Sequence, residues 1–176
     1  MTDVFLYTTP LDPRSQPLVE ALTYEYETRY GTYWGEPAST EMTRYPAELF
    51  APPNGAFLLL LRDGVAIAGG AFKRCDERTA ELKRVWTHVD LRRQGLARTV
   101  LSELEAQASR QGYTRLYLTT GFRQPEAAGL YLNTGYTALF DPAVDPEVYK
   151  TLPFEKDISA LALRLEERAA TDRKAG

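Results

Sequence analysis

The chain has 176 residues, the length of one ordinary domain, and its hydrophobic (44%) and charged (26%) fractions are those of a globular protein. Its 24 acidic residues outnumber 21 dispersed lysines and arginines, and the net charge of −3 argues against nucleic-acid binding. One cysteine excludes an internal disulfide, one histidine with one cysteine is too few for a usual zinc site, and no apolar run reaches the roughly 18 residues of a membrane span. Since no secretory signal opens the chain, we expect a cytoplasmic protein that binds no metal, nucleic acid or membrane.

The first third of the sequence predicts one strand, one helix and a long loop. Val4–Tyr7 has the composition of a strand, and residues 15–30 have the apolar spacing of a helix. The apolar side chains on one face of this helix are Leu18, Val19, Leu22 and Tyr26. Residues 31–55 are rich in Gly, Pro, Thr and aromatic residues, which indicates a loop with a short helix around residues 46–50.

A run of antiparallel strands follows. Phe57–Leu61 and Val65–Phe72 flank Asp63-Gly64, a strong signal for a hairpin turn, and Thr79–His88 continues the meander as a third strand.

The segment from Glu81 to Ala97 predicts a strand, a tight turn and the start of a helix. Backbone N–H groups at such a turn stay unpaired at the positive end of the helix dipole, where they suit a phosphate or pyrophosphate. Arg92 and Arg93 add positive charge, and Gly95 lets a ligand approach the backbone. The alternative is an ordinary strand-to-helix connection with solvated arginines. Neither G-x-G-x-x-G nor a Walker Gly-Lys-Ser/Thr is present.

The helix after the turn belongs to a predicted βαβ unit. Gly112 marks its end, and the buried-looking strand Leu116–Thr119 follows, with a right-handed connection expected. The apolar residues on one face of this helix are Leu96, Val100, Leu101, Leu104 and Ala108.

The rest of the chain predicts a short helix from Pro125 to Gly135, strands at Tyr136–Phe140 and Thr151–Lys156, and a charged helix or tail at residues 158–176. Antiparallel strands interrupted by one parallel crossover indicate an α+β layered fold.

Three blocks of sequence, in the same order across residues 56–157, resemble the GNAT superfamily of acetyl-coenzyme A-dependent N-acyltransferases. Arg92, Gly95 and Ala97 match its turn signature of Arg or Gln, two residues, Gly, one residue, then Gly or Ala. The further segments that carry the resemblance are Glu81–Trp86, Gln124–Glu126, Ala127–Tyr136 and Phe154–Lys156.

This resemblance implies a mixed, mostly antiparallel sheet of six to seven strands, with helices on both faces, in a single acetyltransferase domain over residues 1–176. It implies acetyl-CoA as cosubstrate, no metal, and a thioester held in the cleft where the crossover strand splays. The implied cofactor-binding residues are Val85, Trp86, Thr87, Arg92, Arg93, Gln94, Gly95, Leu96, Ala97, Arg98, Gln124 and Tyr131. The chain departs from the family at Val89, where many members have Pro, and at Gln124, where several have a cofactor-contacting Asn.

Transfer to an amine needs a proton acceptor for the amine and a donor for the departing thiolate. Glu81 is the candidate base, directly or through water; the alternative is a salt-bridged strand residue. Tyr131 matches the family's tyrosine near the thioester sulfur and is the candidate acid; the alternative is a packed aromatic. The backbone amides of Val85 and Thr87 are expected to face the acyl carbonyl and the pantetheine arm.

Aromatic residues between the first helix and the loop are candidates for the acceptor pocket. Tyr33 and Trp34 are the predicted substrate-binding residues, whereas Tyr26 is expected in the core. Nearby glutamates would suit a cationic amine or are simply solvated: Glu25, Glu27, Glu36 and Glu41.

The sequence therefore predicts an N-acetyltransferase that moves an acetyl group to a primary amine of a small molecule or peptide. Direct transfer in a ternary complex is favoured, since Cys75 is not placed to form an acyl-enzyme. The alternatives are a non-catalytic acyl-CoA sensor on the same fold and a phosphate-binding regulatory module. A homodimer is possible by family resemblance, and the sequence does not identify the amine.

Overall fold

A computed structural model describes residues 2–175. Its strands are β1 (Asp3–Tyr7), β2 (Ala56–Arg62), β3 (Val65–Arg74), β4 (Thr79–Thr87), β5 (Arg115–Gly121), β6 (Thr137–Ala138) and β7 (Thr151–Asp157). Its α-helices are α1 (Gln16–Tyr30), α2 (Leu96–Arg110), α3 (Pro125–Leu132), α4 (Pro146–Tyr149) and α5 (Ser159–Ala175). Short 3-10 turns lie at Pro13–Ser15, Ala38–Met42, Ala47–Phe50 and Val89–Leu91. Within residues 2–175, no helix is both long and apolar enough to cross a bilayer.

One seven-stranded sheet has the order β1-β2-β3-β4-β5-β7-β6. Its neighbouring strands are antiparallel except β4 and β5, which pair in parallel where Thr79–Glu81 faces Arg115–Tyr117. The parallel pair is joined through α2, as a crossover connection requires. The predicted mixed, mostly antiparallel sheet with a central βαβ unit is confirmed.

Helices cover both faces of this sheet. On one face, α2 packs Val100 and Leu104 among strand residues such as Leu82 and Leu118. On the other face, α1 contributes Leu18 to a second cluster. Because successive strand residues point to opposite faces, the β2 sequence Ala-Phe-Leu-Leu-Leu-Leu is buried throughout.

Gly69 and Gly70 in β3 let the two helices approach the sheet closely. A Cβ atom on Gly69 would lie 2.8 Å from the Leu18 side chain of α1. A Cβ atom on Gly70 would lie 2.8 Å from the Leu104 side chain of α2. The adjacent glycines therefore hold the two layers of helices close on either side of one strand.

The predicted strand at Tyr136–Phe140 is largely wrong, since β6 spans only Thr137–Ala138. Tyr136 instead turns its side chain inward, and its hydroxyl donates to Glu105 on α2 at 2.8 Å. Lys156 on β7 donates to the other oxygen of the same carboxylate at 3.0 Å. This hydrogen-bonded group links α2 to β7 and to the segment just before β6.

Candidate active site

A cavity of about 640 Å³ opens where β4 and β5 diverge beyond their short parallel pairing. Leu82, Leu118 and Tyr131 line it from the face that α2 covers, and Glu81 and Lys83 line it from the α1 face. Since neighbouring strand residues point to opposite faces, the cavity passes through the gap in the sheet.

A β-bulge in β4 shapes one wall of this gap. Between the pairs Gly69–Trp86 and Ala71–Lys83, one residue of β3 faces two residues of β4, and Arg84 adopts a left-handed φ of 63°. The His88 amide donates to the Ile67 carbonyl oxygen at 2.8 Å, so backbone alternation turns the Trp86 amide toward β3 as well. The same alternation turns the amides of Val85 and Thr87 toward the gap, whereas the Trp86 side chain is buried in the α1-side core.

The turn before α2 lies on the surface, outside the lining of the cavity. Arg93 (φ 65°) and Gly95 (φ 80°) are left-handed, and Arg92, Arg93 and Gln94 are exposed. Among the described residues no side chain caps α2, and the space in front of Gly95 is open to 4 Å. The first amides of α2 thus form an uncapped, positively polarised end beside two arginines, which suits an anionic group. Of the helix residues after the turn, Leu96 is buried, Ala97 is half-buried, and Arg98 donates to the Asn133 carbonyl oxygen at 3.3 Å.

Tyr131 on α3 lines the cavity and is only 6% exposed. Its ring centroid lies 5.4 Å from that of Tyr136 and 5.6 Å from that of Phe154. Burial raises the pKa of Tyr131, so the phenol keeps its proton at neutral pH. The side chain is therefore both a packed aromatic and a protonated donor at the cavity wall.

Gln124 lines the cavity but also holds neighbouring protein groups. Its side-chain oxygen accepts hydrogen bonds from the Tyr30 hydroxyl and from the Gly121 amide, each at 3.0 Å. The end of α1 is thereby bound to the β5–α3 loop. A cofactor contact from Gln124 would have to come from its amide nitrogen, because the oxygen is engaged here.

Glu81 lies between two lysines on the α1 side of the cavity. Its carboxylate is 3.2 Å from Lys83 Nζ and 3.5 Å from Lys73 Nζ. Burial is the largest influence on Lys83 and lowers its pKa, but the carboxylates of Glu41 and Glu81 outweigh it, so that the pKa of Lys83 is raised overall. Lys83 is therefore a cation at neutral pH, and its Nζ also lies 4.7 Å from the Tyr45 ring centre.

Further charged residues extend this group toward the mouth of the cavity. Glu41 lies 3.3 Å from Lys83, 3.5 Å from Arg84 and 3.2 Å from Arg44, and Arg44 also pairs with Glu36. We call the whole set the ion-pair cluster: Glu36, Glu41, Arg44, Lys73, Glu81, Lys83 and Arg84. Sequence analysis missed its four cations. Lys83 could have been found from the sequence, because it lies two residues after Glu81 on the same face of a strand. Arg44 lies in a loop, where no sequence pattern indicates its role.

A family profile described as the acetyltransferase (GNAT) family matches residues 19–136, more than half of the chain. The chain belongs to the GNAT acetyltransferase family. Membership implies acyltransferase activity. No curated protein matches this GNAT chain by sequence.

Solved structures share the fold of this GNAT protein over nearly its whole length. A Klebsiella pneumoniae protein, provisionally described as an acyl-CoA N-acyltransferase, is 24% identical, with 89% of this chain and 98% of that chain covered at a TM-score of 0.68. The PaiA N-acetyltransferase of Thermoplasma acidophilum, solved with coenzyme A, is 17% identical, with 89% and 99% covered at a TM-score of 0.63. An Elizabethkingia anophelis GNAT acetyltransferase, solved with acetyl-CoA bound, is 14% identical, with 88% and 97% covered at 0.57.

The two aromatic residues predicted for the acceptor pocket of this GNAT protein lie in different places. Trp34 lines the cavity, whereas Tyr33 packs beside it, 4.9 Å from the Trp34 ring and 5.1 Å from that of Phe122. Tyr26, expected in the core, packs against the α1-side core and lines the cavity as well. Of the candidate glutamates, Glu36 and Glu41 line the cavity, and Glu25 instead pairs with Arg29.

Cys75 is exposed in the turn between β3 and β4 and is not among the residues that line the cavity. Within residues 2–175, no group of three histidine, cysteine, aspartate or glutamate side chains is gathered for a metal ion.

Proposed function

We propose that this GNAT protein transfers an acetyl group from acetyl-CoA to a primary amine by direct attack in a ternary complex. The observation that carries the proposal is the cavity that passes through the sheet between β4 and β5. It gives a donor on the α2–α3 face and an acceptor on the α1 face a shared space. The exposed position of Cys75, outside the cavity lining, supports direct transfer over an acyl-enzyme.

The donor would be held by backbone amides. Arg92–Arg98 would bind the pyrophosphate through the uncapped start of α2, with Arg92 and Arg93 adding charge. The amides of Val85 and Thr87, turned toward the gap, would bind the acyl and pantetheine part. Two of the solved relatives contain coenzyme A or acetyl-CoA, which supports the same ligand here.

Three residues would then carry the proton and charge movements. Glu81 accepts a proton from the ammonium, directly or through water, and the neutral nitrogen attacks the thioester carbonyl carbon. The Val85 amide donates to the carbonyl oxygen as negative charge develops there. Tyr131 gives its proton to the sulfur as the carbon–sulfur bond breaks, and the product nitrogen loses its second proton to regenerate the phenol through solvent.

Binding and turnover test the proposal separately. Coenzyme A and acetyl-CoA should each raise the melting temperature, because a ligand that binds only the folded chain stabilises it. A panel of amines with acetyl-CoA, followed by free-thiol release and by mass spectrometry of the products, should reveal amine-dependent acetylation. Coenzyme A binding with no turnover over the whole panel would favour the acyl-CoA sensor instead. Protein that binds inorganic phosphate but not coenzyme A would favour a phosphate-binding module.

A further inference from the structure

The ion-pair cluster on the acceptor side of the cavity is balanced in charge where it faces the cavity. Three of its cations and its three carboxylates line the cavity, Lys73 lies outside the lining, and each carboxylate has a cationic partner within 3.5 Å. Glu81 is shared by two lysines, and Glu41 is shared by Lys83 and two arginines. A substrate with several ammonium groups would therefore meet carboxylates that are already neutralised.

Arg44 is the cation of this cluster that an incoming anion can reach. Its side chain lines the cavity and is 47% exposed, whereas those of Lys73, Lys83 and Arg84 are 15%, 13% and 5% exposed. Arg84 is further engaged, since it donates to the Glu41 carbonyl oxygen at 2.9 Å. The guanidinium of Arg44 has five N–H donors in a planar fork, and its contacts to Glu36 and Glu41 leave donors for a carboxylate.

Much of the remaining wall of this part of the cavity is aromatic. Tyr26, Trp34 and Tyr45 line it next to the charged residues. The cavity volume of about 640 Å³ must also hold the acyl end of the donor, which favours a small acceptor. Flat aromatic walls favour an apolar body on that molecule.

We propose that the acceptor is a small amine that also carries a carboxylate and an apolar body, an amino-acid type of molecule, and that Arg44 binds its carboxylate. This inference rests on the proposed acetyl transfer and specifies its substrate class. A substrate with one ammonium and one carboxylate is itself neutral, which matches the balanced charges of this lining. With its carboxylate on Arg44, its amine is left next to Glu81. Polyamines and other polycationic acceptors are the wrong chemistry for this site.

Three probe amines test the inference with wild-type protein: phenylalanine, phenylalaninamide and 1,4-diaminobutane. Phenylalanine and its amide share the amine and the ring and differ in the carboxylate. We expect kcat/KM with acetyl-CoA to be about 10- to 100-fold higher for phenylalanine than for the amide, as one charge-assisted contact would give. The amine of phenylalaninamide is less basic than that of phenylalanine, so more of it is neutral and able to attack. Amine basicity alone would therefore favour the amide and cannot explain a higher kcat/KM for phenylalanine. Equal rates, or a preference for the amide or the diamine, would overturn it.

Variants assign the effect to Arg44. Arg44→Gln should lose most of the preference for phenylalanine over its amide, measured as the ratio of the two kcat/KM values. Arg14→Gln is the matched control, because Arg14 is similarly exposed at 52%, also pairs with a carboxylate and does not line the cavity. Retention of the full preference in Arg44→Gln would remove Arg44 from the proposal.

The inference can still be tested if the proposed acetyl transfer fails. If no amine is acetylated, calorimetry with the coenzyme A-loaded protein decides the inference alone. Phenylalanine must then bind about tenfold more tightly than its amide, and Arg44→Gln must abolish the difference. Equal affinities would overturn the inference.

Discussion

Tyr131 places a polar hydroxyl on a ring that is held between Tyr136 and Phe154. Such packing fixes the ring, and burial keeps the phenol protonated by raising its pKa. A donor that is fixed and protonated across the neutral range suits the protonation of a leaving thiolate.

Tyr131→Phe should therefore lower kcat by about 10²- to 10⁴-fold, the usual contribution of a general acid. The ring stays, so the melting temperature and the coenzyme A dissociation constant should change little. Tyr24→Phe, at a tyrosine that is 70% exposed, is the control and should behave as wild type. An unchanged kcat in Tyr131→Phe, with chemistry shown to limit the rate, would leave the tyrosine a purely structural role.

Glu81 lies between Lys73 and Lys83, and these two contacts fix the position of its carboxylate. If it takes the proton from the amine, Glu81→Gln should lose rate most severely near pH 7, where an ordinary alkylamine is mostly protonated. The deficit should shrink as the pH rises toward the pKa of the amine, because the neutral nucleophile then forms without help. Stopped assays from pH 6.5 to 10 measure the profile.

Glu77→Gln, in the exposed β3–β4 turn, controls for the loss of one negative charge from the chain. Melting curves must accompany the Glu81 variant, since its two lysines lose a partner. A profile parallel to that of wild type would exclude Glu81 as the base and direct attention to Glu41, the neighbouring carboxylate in the ion-pair cluster.

Several secondary-structure elements follow directly from local sequence. Asp63 and Gly64 both adopt positive φ in the β2–β3 turn, as an Asp-Gly hairpin requires. Leu96–Arg110 is a helix with one apolar face, and Gly112 follows its end at φ 97°. These features were predictable because turn chemistry and apolar periodicity act within a few residues.

Other elements depend on distant partners. The strand predicted at Tyr136–Phe140 spans only two residues, and Tyr136 before it is held by Glu105, which is 31 residues earlier in the chain. The bulge at Arg84 puts an arginine in a left-handed conformation that its own sequence does not favour. Its guanidinium is held by Glu41, a contact across 43 positions that no local pattern reveals.

The turn before α2 allows a matched pair of glycine substitutions. Gly95→Asp puts a carboxylate beside the expected pyrophosphate and should weaken coenzyme A binding at least about tenfold, or about 1.4 kcal/mol. Gly112→Asp is the control, since Gly112 also has a positive φ and open space around it but follows the opposite end of α2. Both changes strain the backbone, so both should lower the melting temperature, but only the first should affect calorimetric affinity. Equal affinities for the two variants would mean that the pyrophosphate binds elsewhere.

At the scale of the whole molecule, the proposed donor-binding and acceptor-binding halves of the site differ in how much of each could be predicted from the sequence. Most of the proposed donor half lies in one continuous stretch, from the strand residue Val85 through the turn to Arg98, and only Gln124 and Tyr131 lie outside it. The proposed acceptor half is assembled from α1, the loop after it, β4 and β5, and its central contact joins Lys83 to Glu41 across 42 positions. Trp34 could be predicted from composition, whereas the cations around Glu81 come together only when the chain folds.

The short parallel pairing of β4 and β5 also predicts how fast individual backbone amides exchange their hydrogens with solvent. Amides that point into the gap have no strand opposite them, so those of Val85 and Thr87 should exchange their hydrogens with deuterium far faster than the Trp86 amide between them. Coenzyme A should slow exchange at Val85, Thr87 and the first turn of α2, and leave β2 nearly unchanged. Amide-resolved NMR exchange measures this alternation directly, and a uniform slowing across the sheet would contradict it. In the free protein, these amides in the middle of the sheet would then be among the fastest to exchange. Bound acetyl-CoA would occupy the position beside them that a neighbouring strand occupies elsewhere in the sheet.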